Sequence, residues 1–136
     1  MITAIDTSVL LDIFLPDKAH VERSASLLRY AYDEGALAIS HLVYAELVPQ
    51  FDERATLEHA LAKLNIQTLG LDDEIAYLAG QKWKEYRAVG GTRERILSDF
   101  IIGAHAMLRA DRFLTRDRGF YRTYYPTLNY LGSPAG

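Results

Sequence analysis

The first fifteen residues, MITAIDTSVLLDIFL, constrain the fold of this chain more than any other stretch. Residues 2–5 form a short apolar run with β-branched side chains, which predicts a buried strand. Asp6 ends the run, and Thr7 and Ser8 offer hydroxyls where a helix would begin. Apolar residues then recur at helical spacing up to Pro16, which stops the helix. The pattern places a carboxylate at the carboxyl end of a strand, where ligands bind in open α/β sheets, although an acid there is also an ordinary helix cap.

Length and composition predict one soluble domain spanning residues 1–136. The chain is 49% apolar and 24% charged, as is usual for globular proteins. It contains no cysteine, which excludes disulfides and thiolate metal sites. No apolar run approaches the roughly 20 residues that span a bilayer. We therefore expect a cytoplasmic protein without membrane contact.

Charge is distributed unevenly along the chain. The net charge is −3, but residues 1–85 hold 7 Lys or Arg against 14 acids, whereas residues 86–136 hold 8 Arg against 4 acids. Arginine suits bidentate phosphate contacts better than lysine does. The carboxyl-terminal part could therefore face nucleic acid, or simply present a solvated basic surface.

Helical and strand patterns alternate through the remainder of the sequence. Strands are expected at 37–40, 66–69 and 112–115, with 66–69 at an edge and 128–131 as a possible final strand. The predicted helices are 17–34 (ended by Gly35), one capped by Ser40, 53–64, one capped by Asp72, and an apolar one capped by Ser98 and closed by Asp111. We expect a polar loop at 90–95 with Arg93 and Arg95, an aromatic turn at 120–125 and a flexible tail at 132–136.

This alternation predicts an α/β fold with a mainly parallel sheet and right-handed crossovers. Asp6 and Asp117, each just beyond a strand, would then project from the same edge of the sheet. If Glu46 and Asp99 join them, four carboxylates meet, and two of them about 4 Å apart repel by roughly 4 kcal/mol at an effective dielectric of 20. Mg²⁺ or Mn²⁺ would relieve that repulsion, activate water and bind phosphate oxygens, which is phosphodiester hydrolysis.

Four short segments that contain the four acids follow one another along the chain: IDTSVL at 5–10, VYAEL at 43–47, LSDFIIGAH at 97–105 and LTRDRGF at 114–120. In this order they resemble the four motifs of the PIN-domain nucleases, and the chain most resembles the VapC toxins of that family. The resemblance covers almost the whole chain. It implies a three-layer sandwich, with a mainly parallel central sheet flanked by helices, and a metal-dependent endoribonuclease that acts through metal-activated water. It also implies a cognate antitoxin that blocks the site, and a homodimer.

The resemblance assigns roles to particular residues. The acidic centre falls on Asp6, Glu46, Asp99 and Asp117, with Asp6 and Asp99 as the principal metal ligands. Thr7, Ser8 and Thr115 match hydroxyl positions that orient ligands or the scissile phosphate. Flanking Asp117, Arg116 and Arg118 are further candidates for binding substrate phosphates.

Other interpretations compete with the toxin. A housekeeping RNA-processing PIN protein and a non-catalytic RNA- or protein-binding one fit the same pattern. A receiver domain would need an acid pair where Asp6-Thr7 stands, and an aspartyl phosphatase would need an acid at Ser8. The four histidines lack HExxH spacing, and none is assigned to catalysis; His105 is expected to be a hydrogen-bonded core residue and Trp83 a core anchor.

Overall fold

Four short parallel strands form the centre of the fold in the computed structural model, which describes residues 1–90 and 96–132. The strands are β1 (Ile2–Ile5), β2 (Ala36–Ser40), β3 (Ile66–Leu69) and β4 (Arg112–Leu114). Their order is β3-β2-β1-β4, and every neighbouring pair is parallel. The predicted parallel sheet is confirmed, and β3 lies at an edge as expected.

Seven helices in the described residues connect and cover these strands. They are α1 (Thr7–Phe14), α2 (Val21–Glu34), α3 (His41–Leu47), α4 (Arg54–Lys63), α5 (Asp73–Ala88), α6 (Leu97–Arg109) and α7 (Arg118–Tyr124). A short 3₁₀ turn, Val48–Gln50, follows α3. Two predicted caps are confirmed: Ser40 accepts the Val43 amide at 3.3 Å, and Asp72 accepts the Ile75 amide at 3.0 Å.

The strand order contains a switch point between β1 and β4. The chain moves outward from β1 to β2 and β3, and then returns past them to place β4 on the other side of β1. Because parallel crossovers are right-handed, α1–α4 cover one face of the sheet and α5–α6 the other, as in a three-layer sandwich. Ligands in such sheets bind beyond the carboxyl ends of the strands that flank the switch point. Here those ends carry Asp6 and Thr115.

Close packing of α6 against the chain after α7 stabilises this region. An added Cβ at Gly103 would overlap the ring of Tyr125, so this close approach requires a residue without a side chain. The Tyr125 hydroxyl donates a hydrogen bond to the Phe100 carbonyl at 2.6 Å. Trp83 packs edge-on against Phe100 with ring centroids 5.6 Å apart, and it is the core anchor that the sequence predicts.

Two predicted elements near the carboxyl end differ from the structure. The segment expected to be an aromatic turn is the helix α7, because Phe120 and Tyr124 repeat at helical spacing and both pack on Phe100. Residues 128–131 form no strand; a single parallel bridge joins Phe113 and Tyr130. The apolar residues of this segment pack beside β4 without extending the sheet.

Helix starts are displaced at two places. The second helix begins at Val21 rather than at residue 17, since the preceding residues form turns stabilised by the Asp17 carbonyl. The buried helix is preceded by Ile96 rather than by the predicted cap Ser98, which lies within its first turn. The predicted loop residues 91–95, with Arg93 and Arg95, and the tail residues 133–136 lie outside the described residues. No helix in the described ranges combines the length and apolarity needed to cross a bilayer.

Candidate active site

Asp6 lies at the switch point, between the end of β1 and the start of α1. Its side chain is 7% exposed and accepts hydrogen bonds from the Thr7 amide at 2.8 Å and the Thr115 hydroxyl at 2.6 Å. The Ser8 hydroxyl approaches the same carboxylate at 3.5 Å. Asp6 is therefore both the helix cap and the meeting point of β1 with β4.

The surroundings of Asp6 oppose its negative charge. Burial raises the pKa of its carboxyl from 3.8 to about 6, and repulsion from Glu46 and Asp99 adds to this, while the bonds from Thr115 and Thr7 act against it. None of the described cationic side chains forms an ion pair with Asp6. A buried carboxylate with only neutral donors is a group that gains from a bound cation.

Glu46 reaches the site from α3. The hydroxyl of Thr7 donates to Glu46 Oε1 at 2.5 Å, although the two residues are 39 positions apart in the sequence. The half-buried Glu46 side chain is thus held against the first turn of α1, next to Asp6. The Thr7 hydroxyl thus orients the Glu46 carboxylate, and its role in orienting ligands stays a prediction.

Asp99 enters from the opposite face of the sheet, on the first turn of α6. Its Oδ2 accepts the Ile96 amide at 3.2 Å, which is the N3 contact of a capping box, whereas the predicted cap Ser98 lies inside the helix. The hydroxyl of Ser98 has no hydrogen-bond partner among the described residues. The hydrogen bond from the Ile96 amide fixes one oxygen of the Asp99 carboxylate near Asp6.

Thr115 joins the fourth acid to the first. Its hydroxyl donates to Asp6 and accepts the amide of Asp117 at 2.9 Å, so a single side chain aligns the two aspartates. Thr115 is 5% exposed, and its role in orienting ligands or the scissile phosphate stays a prediction. Asp117 itself is half-buried immediately before α7.

The four acids converge around one phenol. Tyr121 is 2% exposed, and burial raises the pKa of its hydroxyl far above the usual range. The negative charges of Asp6, Asp99, Asp117 and Glu46 all raise it further. The structure therefore brings together the four carboxylates that the sequence predicts, although no three of them have ligand atoms within 4.8 Å of one another.

The donor set fits a hard divalent cation. The site consists of carboxylate and hydroxyl oxygens from two strand ends, from the starts of α1 and α6 and from the last turn of α3, and at its centre Asp6 has no described cationic partner. Mg²⁺ and Mn²⁺ prefer such ligands. A cation would also offset the burial and the repulsion that together raise the pKa of Asp6.

A second acidic cluster lies on the other side of α1 and was not predicted. Asp12, Asp17 and His20 bring three ligand atoms within 4.8 Å of one another. Asp12 is 2% exposed, accepts the Ser24 hydroxyl at 2.6 Å and forms a bidentate ion pair with Arg116 at 2.8 and 3.0 Å. Arg116 already supplies the positive charge that this cluster requires. The available sequence signal was a carboxylate inside the apolar run Val9–Phe14.

The two arginines that flank Asp117 have different surroundings. Arg116, a predicted phosphate ligand, is tied to Asp12 and so anchors the loop between β4 and α7. Arg118 has a buried Nη1 atom with no hydrogen-bond partner among the described residues. Both remain predicted substrate contacts, and Arg118 also has a buried donor without a partner among the described residues.

His105 is buried as expected but is not fully hydrogen-bonded. Its side chain is 1% exposed, and its Nε2 has no partner among the described residues. Burial lowers the pKa of His105 to about 4, and the positive charges of Arg109 and His41 contribute. The prediction that His105 is buried in the core is therefore confirmed, but the prediction that its polar atoms are all hydrogen-bonded is wrong.

Comparison with known proteins defines the class to which this fold and site belong. The family profile described as PIN domain matches residues 3–125. The chain therefore belongs to the PIN domain family, as the sequence motifs predict. No curated protein sequence matches it.

Several solved structures share the fold over nearly the whole chain. VapBC2 from Rickettsia felis, solved with a DNA fragment from its promoter, is 20% identical, with a TM-score of 0.70 and coverage of 96% of this chain and 97% of that one. VapBC-1 from nontypeable Haemophilus influenzae is 17% identical, with a TM-score of 0.70 and 96% of both chains covered. FitAcB from Neisseria gonorrhoeae is 22% identical, with a TM-score of 0.68 and 97% of both chains covered. At these identities the likeness establishes the fold.

Proposed function

We propose that this protein is a Mg²⁺- or Mn²⁺-dependent endoribonuclease and the toxin of a toxin–antitoxin pair. The observation that carries the proposal is Asp6: a buried carboxylate at the switch point, with a pKa of about 6 and three further acids around it. Membership of the PIN domain family supports a nuclease. A solved structure with a TM-score of 0.60 is described as a toxin–antitoxin complex from Klebsiella pneumoniae, and this supports the toxin role.

Asp6 and Asp99 would hold the cation, with Glu46 and Asp117 completing its surroundings. A bound Mg²⁺ or Mn²⁺ supplies Lewis acidity, which makes water nucleophilic at neutral pH and stabilises negative charge on the phosphate. The chain contributes orientation. Thr115 fixes Asp6 relative to Asp117, and the Thr7 hydroxyl directs Glu46 toward the same pocket.

The protein partners follow from the same proposal. We infer an antitoxin that covers the acid pocket, a homodimer of the toxin and an RNA substrate in the cytoplasm. One solved structure of this fold is described as a toxin–antitoxin complex, and another is VapBC from Salmonella typhimurium bound to DNA. Coexpression with the product of an adjacent gene should relieve growth arrest if that product is the antitoxin.

The nuclease is tested by cleavage of single-stranded RNA with Mn²⁺, with excess EDTA, and with Asp99→Asn. Asp99→Asn keeps an oxygen for the Ile96 amide but removes a charge, so we expect cleavage to fall by at least about a thousandfold, in line with the several kcal/mol that metal catalysis supplies. The unfolding temperature should not fall. Water attack predicts products with 5′-phosphate and 3′-hydroxyl ends.

The matched control is Asp33→Asn, the same substitution on an exposed residue at the end of α2, near the amino-terminal edge of the sheet. It should cleave RNA like the wild type. Undiminished wild-type cleavage in EDTA would contradict the metal requirement, and 2′,3′-cyclic phosphate ends would contradict attack by water.

A further inference from the structure

A small basic cavity lies beside the acid pocket, on the α2 side of β4. It has a volume of about 210 Å³, and its polar lining includes His20, Arg23, Arg116 and Arg118. None of the described residues that line it is acidic. Drug-sized ligands occupy larger pockets, of about 300–1,000 Å³. The cavity therefore suits a single charged group rather than a whole nucleotide.

The charges around the cavity are unequally neutralised. Arg116 is held by Asp12, and His20 Nδ1 lies 3.0 Å from Asp17 Oδ2. Arg23 makes one long bond, at 3.4 Å, from Nη2 to the Gly132 carbonyl. The cation that still has an unused buried donor is Arg118, whose Nη1 has no partner among the described residues.

Such a donor is costly unless a ligand satisfies it. A buried polar atom without a hydrogen bond costs about 1–3 kcal/mol, and more when it is charged. The positive charges of Arg122 and Arg23 also lie near enough to Arg118 to repel its guanidinium group. An anion in the cavity would receive the Nη1–H bond and reduce the repulsion among these guanidinium groups.

The cavity is connected to the acid pocket through one residue. Thr115 lines the cavity, and its hydroxyl is bonded to Asp6. Arg118 directly follows Asp117 in the sequence. A strand whose scissile phosphate meets the acids would therefore have a neighbouring phosphate within reach of Arg118 and Arg23.

We propose that Arg118 and Arg23 form a subsite for a backbone phosphate of single-stranded RNA adjacent to the scissile bond. The choice of RNA rests on the proposed nuclease function. The guanidinium groups come from α7 and α2, so the subsite forms only when both helices pack beside β4. Arg116 contributes indirectly, because its ion pair with Asp12 positions the loop that leads into α7, where Arg118 is the first residue.

The test measures binding of a short 3′-labelled, 5′-hydroxyl single-stranded RNA in EDTA by fluorescence anisotropy at several salt concentrations. Arg118→Ala should weaken binding about tenfold at low salt, as expected for one charge-assisted contact. The log–log salt slope should become shallower by about 0.7. Arg23→Ala should weaken binding by a smaller factor, about threefold, since its side chain is exposed.

The matched control is Arg29→Ala, which removes an exposed arginine from the same helix, α2, away from this cavity. It should bind RNA within about twofold of the wild type, since surface substitutions away from a site change little. If Arg118→Ala unfolds, Arg118→Gln preserves much of the side-chain volume, and Arg23→Ala tests the same subsite from the protein surface.

Three results obtained with the variants would overturn the subsite. In the first, Arg118→Ala and Arg23→Ala both bind RNA with the same affinity and the same salt slope as Arg29→Ala. Another is a loss seen only with 5′-phosphorylated RNA, because the cavity would then take a chain end. The third is weakened binding of polyglutamate with RNA binding intact, which would assign the cavity to protein carboxylates.

The subsite would also be overturned if the wild type does not bind the RNA in EDTA. Failure of the nuclease has a separate signature. Weaker RNA binding in Arg118→Ala, with no metal-dependent cleavage by the wild type, would support the subsite and refute the nuclease. Cleavage by the wild type with unchanged binding in both arginine variants would do the opposite.

Discussion

Two buried aspartates only six positions apart, Asp6 and Asp12, have opposite electrostatic surroundings. Asp12 receives a bidentate guanidinium from Arg116 and a hydroxyl from Ser24. Asp6 receives an amide and two hydroxyls, and its nearest charges are other carboxylates. The charge of Asp12 is neutralised by Arg116, whereas the charge of Asp6 has to be neutralised by a cation from outside the protein. The difference separates a structural carboxylate from a candidate ligand more clearly than burial does.

Removing Asp12 should produce the largest change in stability. Asp12→Ala leaves Arg116 and the Ser24 hydroxyl without their buried partner. Because the Arg116 side chain is 39% exposed and can reach water, we expect a loss of about 3 kcal/mol rather than the upper end of the range for buried pairs. Urea unfolding at pH 7 measures this loss, and an unchanged midpoint would show that the pair contributes nothing.

Neutralising Asp6 should stabilise the protein, in contrast to the removal of Asp12. A rise in pKa from 3.8 to about 6 corresponds to about 3 kcal/mol, and after local relaxation we expect Asp6→Asn to stabilise the metal-free protein by about 2 kcal/mol at pH 7. Asparagine retains an oxygen that can accept the Thr7 amide. Urea unfolding in EDTA measures this gain.

The pH dependence of that gain has a definite direction. Between pH 3.8 and about 6 the folded protein binds more protons at Asp6 than the unfolded chain does, so wild-type stability falls as pH rises. The gain from Asp6→Asn should therefore vanish near pH 4 and be complete above pH 6. The comparison of the two proteins cancels His105, whose lowered pKa acts in the opposite direction. A gain independent of pH would contradict the proposed cause.

The smallest change in stability is expected when the neutral hydrogen-bond donor to Asp12, the Ser24 hydroxyl, is removed. Ser24→Ala removes the hydroxyl bond to Asp12 but leaves the Arg116 pair intact, so we expect a loss of about 1 kcal/mol. The exposed Ser26 on the same helix provides the control, and Ser26→Ala should change stability by less than about 0.5 kcal/mol. Equal effects of the two substitutions in thermal unfolding would remove Ser24 from the cluster.

Local patterns in the sequence predicted much of the fold. The apolar run at β1, the hydroxyls after it and Pro16 all indicate the same strand and helix, and the structure agrees. The segment after Asp117 was harder, because its aromatic residues favour neither a turn nor a helix until Phe100 and Phe113 provide the surface on which they pack. Tertiary packing decided this element rather than local preference.

The candidate site was predictable to a similar extent. Acids beyond two parallel strands indicate one edge of the sheet, and the family motifs added Glu46 and Asp99. The Asp12–Arg116 pair joins residues 104 positions apart, and no local pattern relates them. Likewise, the cavity at Arg23 and Arg118 depends on the placement of α2 beside β4, which sequence periodicity does not describe.

The pairing of β1 with β4 also has a consequence for synthesis of the protein. Thr3 pairs with Arg112, and Asp6 is joined to Thr115 across 109 positions. The pairing of β1 is therefore complete only after β4, which is nearly the last element, has been synthesised. On the ribosome, the side of β1 that will receive β4 is an unpaired edge until that strand emerges. The four carboxylates therefore cannot converge in a nascent chain that stops before residue 117. If the proposed nuclease function is correct, a truncated translation product would be inactive and prone to aggregation.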